Sequence, residues 1–478
     1  MVYLDNYDLA VIGSGAGMNV ASSALEQGLK VAIVEKGPLG GTCLNRGCIP
    51  SKIMIYPADV IRLLQDAKAV GVNAKIESVD FDLIMKRMWD AVLEDRHHME
   101  DAIRQNSGVK LYHDVGYFLS DYTMQVKDEI FSAKKIVIAS GARPIVPDIP
   151  GLSEAGFLTS ETVFSIKKQP ASLIIIGGGY IAAEMGHFFS SIGTAVTIVG
   201  RNPELVPHEE PEVSSLLKRK MSEKMRVLTN SEPITVKTGG GSKQVTIRDR
   251  SSGKTFDASA EEVLVAAGIR SNADLLKVER TGVEVDAKGW IKVNKYLETS
   301  KKNVWALGDA IGKYQYRHTA NYESEVVAQN ALFNMHVQVD EHAVPHAIFA
   351  YPQIGSVGLT ESEAGRSRPI YVGVGQYADV AKGYAMAEKD GFVKVVVDAE
   401  TQKILGAHII GPEAPVLVQQ VVYLMNAGEE DYMPLARAQT IHPALSEVVV
   451  AAFGNLRPAN FEPQEHQHHH SKSDGRTA

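Results

Sequence analysis

The spacing of apolar and polar residues changes period in the same way twice along the chain. An apolar run from Tyr7 to Ile12 leads into Gly13-Ser14-Gly15-Ala16-Gly17-Met18 and then into a stretch of helical spacing that reaches Gln27. A second apolar run, from Lys30 to Val34, ends at Glu35. Strand-length runs on either side of a helix-period stretch describe a βαβ unit. The order returns with a strand at Leu173 to Ile176, the loop Gly177-Gly178-Gly179, a helix from Tyr180 to Ser191 and a strand from Ala195 to Val199. The pattern therefore predicts an α/β protein with two Rossmann-like openings.

Between and after these units the pattern predicts helices over 57–70 and 82–104 and a strand over 134–138. Residues 229–255 alternate like antiparallel strands, with Gly239-Gly240-Gly241-Ser242 as a turn. Buried strands are expected at Val263 to Ala266 and at Val304 to Leu307, the second running into Gly308-Asp309, with a helix from about Asn321. From Val344 the pattern becomes α+β, with strands at 373–377, 392–397 and 404–410 and a helix over 415–426. The end, 457–478, is polar and reads as a disordered tail, whose His466, His468, His469 and His470 could bind metal only adventitiously.

Length changes this picture little: 478 residues suggest roughly three domains of about 150 residues each. A net charge of -8 gives no basic stripe for nucleic acid or a membrane surface. No apolar run is long enough to span a bilayer, and the first strand begins too early for a signal peptide, so a cytoplasmic protein is expected.

The chemistry enters with the chain's two cysteines, Cys43 and Cys48, in Cys43-Leu44-Asn45-Arg46-Gly47-Cys48. A staple across so short a loop adds little stability to a long chain, and two thiols cannot complete a four-ligand zinc site. No metal site is expected. Two thiols at this spacing can close a small ring, so that one is attacked by an outside disulfide while the other stays near an electron donor. In the glycine loops, Gly13 and Gly15, and later Gly177 and Gly179, suit a close approach of backbone to a pyrophosphate at a helix N-terminus. Met18 occupies the third glycine position of the first loop, where Gly17 can relieve the packing. Glu35 is placed to accept from a ribose hydroxyl. The second unit has Gly200 at that place, followed by Arg201, which suits a 2′-phosphate and favours NADP over NAD.

The segment from Gly40 to Lys52, with Ser140-Gly141-Ala142-Arg143-Pro144, Ala267-Gly268-Ile269-Arg270-Ser271-Asn272 and Leu307-Gly308-Asp309, resembles the class I pyridine nucleotide-disulfide oxidoreductases, from Asp8 to about Leu456. The resemblance implies two Rossmann-like domains for FAD and NAD(P) and a C-terminal α+β dimerisation domain. The expected bounds are 1–150 with 275–343 for FAD, 151–274 for NAD(P), and 344–456 for dimerisation. Cys43 would be the interchange thiol and Cys48 the flavin-side thiol. Lys52 and Glu184 would form an ion pair beside the flavin, Asp309 would bind its ribityl chain, and Tyr180 would gate the nicotinamide pocket. Thr42 and Gly268 fall among the expected cofactor-binding positions. His442 and Glu447 in Ile441-His442-Pro443-Ala444-Leu445-Ser446-Glu447 match the family's His–Glu pair, which serves the disulfide of a second subunit and so implies a homodimer.

Within the family, mercuric reductases add a vicinal cysteine pair near the C-terminus, and this chain has no third cysteine. Gly200 and Arg317-His318-Thr319-Ala320 lean toward the mycothione reductase branch, whereas Cys43 to Lys52 is common in dihydrolipoyl dehydrogenases. The expected activity is dihydrolipoyl-dehydrogenase-like exchange of electrons between NAD(P)H, FAD, the cysteine pair and a lipoyl or small dithiol/disulfide. The alternative is an NADPH-dependent reductase of a low-molecular-weight disulfide. A flavoprotein that uses its disulfide only as a sensor is disfavoured, because a sensor has no use for a His–Glu proton shuttle.

Overall fold

A computed structural model describes residues 5–459. The expected histidine-rich stretch from His466 to His470 lies outside the described residues. Three main sheets organise the rest. The first has seven strands, with Asp5–Ile12 at its centre between Val31–Glu35 and Glu129–Ile138. Val304–Ala306, far along the chain, pairs in parallel with Glu129–Ile138, so the chain returns to complete this unit. The central strands are buried on both faces, which is why they read as near-continuous apolar runs.

The second sheet is parallel: Arg226–Leu228, Ala195–Val199, Ser172–Ile176, Glu262–Val265 and Leu158–Thr159. Beside it stands the antiparallel set Ser231–Gly239, Ser242–Asp249 and Thr255–Ala260, turning at the expected glycines. Ala142–Pro144 and Ile269–Ser271 pair as a two-stranded link between the units. The third unit is an antiparallel sheet of six strands, packed through Ile354–Gly358 and Ile404–Ile410 against the helix Ala414–Met425. Each unit has its own apolar core. A further cluster joins the helices Cys48–Asp66 and Tyr180–Ser191 to Ile348 and Ile354 of the third unit.

Three expectations are corrected. The helix expected from Pro57 begins at Cys48 and runs to Asp66. Pro50 lies in its first turn, where no intrahelical acceptor exists for an N–H, so this proline does not mark a loop. Met54, Ile55, Ala58 and Ile61 form its buried face. The helix expected from Asn321 begins at Arg317, with Thr319 and Ala320 already buried in its first turn. The expected tail also starts late: Arg457–Pro458 pairs antiparallel with Ile370–Gln376 and closes the edge of the third sheet.

Candidate active site

One large cavity of about 770 Å³ opens where the three units meet, and most of the expected site residues line it. Its floor is bare backbone. Gly13 has φ +103°, and a Cβ there would fall 2.2 Å from the carbonyl oxygen of Ala139. A Cβ on Gly41 would fall 2.7 Å from Cα of Gly15, so the two loops touch through their main chains. Gly17 does the work expected of a third loop glycine: a Cβ there would meet Val11 Cγ1 at 2.7 Å and Ala139 at 2.9 Å.

Glu35 is buried and held on both oxygens. Its Oε2 accepts from Ser14 N at 2.9 Å and Ser14 Oγ at 2.7 Å, and its Oε1 from Gly37 N at 2.8 Å. Three donors hold the carboxylate in one orientation, which is how an acceptor for ribose hydroxyls is preorganised. Ser14 also accepts from Gly40 N at 3.0 Å, tying the glycine loop to the cysteine segment.

Across the cavity, burial pushes the Asp309 carboxyl up to about 6, opposed only by its own backbone N–H. Behind it, fully buried Glu323 accepts from Gly308 N at 2.6 Å through Oε2, while its Oε1 has no partner. Burial drives Glu323 to about 7. A side-chain-free cradle, a fixed acceptor and a buried acid without a side-chain partner fit FAD in the order pyrophosphate, ribose and ribityl chain.

The sulfurs sit on two consecutive helices. Cys43 is on Gly41–Arg46, and Cys48 opens Cys48–Asp66, with Gly47 between them. A Cβ on Gly47 would fall 2.9 Å from the Thr42 carbonyl oxygen, so glycine permits the tight reversal that faces one thiol to the other. Both thiols are free and share a hydrogen bond. That bond lowers Cys43 to about 7 against the opposing effect of burial. The charge of Arg317 and the N–H groups of Cys48 and Ile49 at the helix start act in the same direction. Cys48 moves upward, first through the bond to Cys43 and then through burial.

Lys52, one helical turn beyond Cys48, places Nζ 2.7 and 2.9 Å from the two oxygens of buried Glu184. Phe349 fixes both partners: its N–H donates to Glu184 Oε1 at 3.1 Å, and its ring lies 4.4 Å from the lysine Nζ. Tyr180 begins the helix Tyr180–Ser191 that carries Glu184 and lines the same cavity, as do Gly179 and Thr42.

Five expected residues lie elsewhere. Gly177, with φ +139°, forms the turn of the second glycine loop, and Gly268 turns the chain from Glu262–Val265 into the link strand. Arg201 is exposed at the end of Ala195–Val199, where its carbonyl accepts from Arg250 Nη1 at 2.8 Å. His442 and Glu447 are off the cavity lining. There His442 Nδ1 lies 2.8 Å from Glu447 Oε1, and Ala444 N donates to Oε2 at 3.1 Å. His442 is exposed, and its outer ring nitrogen has no hydrogen-bond partner among the described residues.

Ser14, Glu323 and Arg317 are site residues the sequence pattern did not single out. Ser14 carried a signal, as the hydroxyl residue between two loop glycines. Buried Glu323 in a helix bore none.

Residues 7–325 match the family described as pyridine nucleotide-disulphide oxidoreductase, and 344–453 match its dimerisation domain. Mycothione reductase of Mycobacterium tuberculosis is 36% identical over 467 residues, 95% of this chain and 100% of that protein. A dihydrolipoyl dehydrogenase of Bacillus subtilis is 33% identical over 457 residues, 92% and 96% of the two chains. The solved Cu(II) complex of RclA, an HOCl-induced flavoprotein disulfide reductase from Escherichia coli, superposes with a TM-score of 0.84 at 25% identity, over 94% of this chain and 99% of that one. Among the described residues, no helix is long and apolar enough to cross a membrane. With its sulfur pair facing a dinucleotide-shaped cavity, the chain belongs to the pyridine nucleotide-disulphide oxidoreductases, flavoenzymes that bind FAD and use NAD(P)H.

Proposed function

We propose that the protein reduces a low-molecular-weight disulfide at Cys43 with electrons from NADPH. The observation that carries this reading is the cationic edge of the second unit. Gly200 stands where an acid would receive an NAD ribose, and beside it Arg201 is exposed, with the Arg250 guanidinium donating to its carbonyl. The full-length similarity to a mycothione reductase supports it.

In this reading Gly13, Gly15, Glu35, Thr42 and Asp309 hold FAD, and Gly177, Gly179, Tyr180, Arg201 and Gly268 serve the nicotinamide dinucleotide. The domain bounds drawn from the sequence go with it, supported by the return of Val304–Ala306 to the first sheet. FAD, when bound, carries the electron pair between the nicotinamide and the sulfurs.

The Cys43 thiolate attacks one sulfur of the substrate, the substrate S–S bond breaks, and the first thiol leaves with a proton from His442 of a second subunit. Cys48 then gives its proton to the now neutral His442 of the partner subunit and attacks Cys43, the mixed disulfide breaks, and the second substrate sulfur leaves as a thiol with that proton. Glu447 holds Nδ1 and steadies the imidazolium when Nε2 carries the proton. Lys52, anchored by Glu184, would stand beside a bound flavin and favour negative charge arriving on it. Since His442 lies away from the cavity of its own chain, the working unit is a homodimer.

Dihydrolipoyl oxidation is the second reading, favoured by the Cys43 to Lys52 segment and the 33% identical dehydrogenase. Steady-state rates with NADPH and NADH against small thiol disulfides and lipoamide separate the two. NADPH-driven turnover of a small disulfide, abolished in Cys43→Ser with the flavin still reducible, is the expected result. Turnover confined to NAD and dihydrolipoamide would overturn the first reading.

A further inference from the structure

The two sulfurs are carried by elements of unequal standing. Cys48 opens a helix of 19 residues, Cys48–Asp66, whose Met54, Ala58 and Ile61 share one apolar core with Ile84, Met85 and Met88 of the helix Phe81–Gln105. Cys43 lies on Gly41–Arg46, six residues long, which buries only Leu44 and Asn45. A helix that short has little apolar area to hold it in place. The covalent link between the two helices is Gly47, the residue type with the most backbone freedom.

Asn45 supplies the hold that apolar area does not. Its Nδ2 donates to the carbonyl oxygens of Pro38 at 3.2 Å, Leu39 at 2.7 Å and Gly41 at 2.9 Å. Its Oδ1 accepts from Arg96 Nε at 3.1 Å and Arg96 Nη2 at 2.6 Å. Chemistry sets which way the amide points: turned over, its oxygen would face three carbonyls and its NH2 a guanidinium. Arg96 stands on Phe81–Gln105, the helix against which Cys48–Asp66 packs. The Cys43 helix is therefore tied to the support of the Cys48 helix by a route that does not pass through Gly47. The stretch from Pro38 to Gly41 pinned by the amide is also the one that touches the first glycine loop, through Gly40 N and Ser14 Oγ at 3.0 Å.

We infer that Asn45, held by Arg96, is a positioning residue for the redox pair, fixing the spacing at which Cys43 and Cys48 meet and so how readily they close a disulfide. The inference rests on these two cysteines being the redox pair of the proposed reaction. Asn45 and Arg96 are off the cavity lining, so they act on the sulfurs only through the elements that carry them. Holding two thiols near their bonded geometry before the bond forms favours closure, because less freedom is lost when it does.

The test uses the FAD-loaded enzyme as wild type, Arg96→Met, Arg96→Lys and Asn45→Ala, equilibrated without oxygen in set ratios of reduced to oxidised dithiothreitol. When the pair closes, Cys43 and Cys48 give two electrons and two protons to the oxidised reagent, whose S–S bond opens to a dithiol. Acid quenching, then alkylation of the denatured chain with N-ethylmaleimide and peptide mass, counts the free thiols at each cysteine. The expected result is a closure constant about tenfold smaller in Arg96→Met, a midpoint potential about 30 mV less negative. Arg96→Lys keeps a charged donor and stays within about threefold of wild type, and Asn45→Ala falls furthest. Arg96→Met leaves the three donations of Asn45 in place, so it tests the clamp even where Asn45→Ala does not fold. An unchanged potential in Arg96→Met beside a lowered melting temperature would make the clamp a stabiliser of the fold alone and overturn the inference. A wild type that closes no Cys43–Cys48 disulfide at any ratio would instead overturn the redox role of the pair, and the inference with it.

Discussion

The two glycine loops solve one steric problem in the same way and then part company. Gly13 and Gly177 both have positive φ, and a Cβ on either would strike a carbonyl oxygen after the third strand, Ala139 at 2.2 Å or Ala266 at 2.1 Å. The second strands end differently. Glu35 is buried, with both oxygens bound by loop donors that leave it one orientation. Gly200 and Arg201 form an open edge, with Arg201 exposed and tethered only through its carbonyl. The first unit also receives Val304–Ala306 and the Gly308-Asp309 turn, which wall its cavity. One loop thus belongs to an enclosed, preorganised site and the other to an accessible one. The same supersecondary unit can house a resident cofactor or a visiting one, depending on what is built at its rim.

The largest test of that contrast is a pair of alanines. Gly13→Ala forces main chain against the Ala139 carbonyl at a φ that L residues rarely adopt, costing roughly 1–2 kcal/mol in conformation alone before the clash. It is expected to yield protein without FAD, read as loss of flavin absorbance. Gly177→Ala carries the same strain into the other unit. It should keep the flavin and its reduction by dithionite, while reduction by NADPH slows about a hundredfold, equivalent to roughly 2.7 kcal/mol. Equal loss of FAD in both variants would show that the two loops do not divide the labour.

A smaller effect probes the rim. Arg201→Glu replaces a cation suited to a 2′-phosphate by an acceptor suited to a ribose hydroxyl. The ratio of kcat/KM for NADPH over NADH is expected to fall about tenfold to a hundredfold, roughly 1.4–2.7 kcal/mol. Arg250→Ala should move the ratio the same way by less, since its guanidinium is partly engaged by the Arg201 carbonyl and by Glu232 at 3.8 Å. An unchanged ratio in Arg201→Glu removes this arginine from cofactor selection.

The places of those residues in the fold were legible in the sequence because they follow from local order. Strand, glycine loop, helix and strand-end residue are contiguous, so Gly13, Gly15, Glu35, Gly177 and Arg201 could be placed before any coordinates. The cysteine pair was legible from its spacing. What stayed hidden depends on the chain returning. Asp309 was placed only through the family resemblance, and Glu323 not at all, because both come to the first unit through the pairing of Val304–Ala306 with Glu129–Ile138. Arg317 lines the cavity from a helix that starts four residues before the apolar pattern announces it. Pro50 concealed the helix at Cys48, and with it the N–H groups that act on Cys43.

The smallest effect concerns Glu323, which distinguishes the enclosed unit by what lies beneath it. Its carboxyl titrates near 7 in the fold, against an ordinary value of 4.5, because burial disfavours the charge more than the bond from Gly308 N favours it. A raised acid contributes its full stability below the unfolded value and loses it as pH rises through the folded one. Wild-type stability should therefore decline from about pH 4.5 to pH 7 on account of this group. That rise sets a ceiling of about 3 kcal/mol. Glu323→Gln keeps an acceptor for Gly308 N but not the stronger charge-assisted bond, so a net gain of about 1–2 kcal/mol above pH 7 is expected. Below pH 4.5 the variant and wild type should match, since the carboxyl is neutral in both states. Urea unfolding of the FAD-loaded proteins at pH 4.5 and pH 8 measures the difference. A gain of the same size at both pH values would mean that Glu323 carries no buried charge when the site is filled, and that the enclosure of the first unit is looser than its geometry describes.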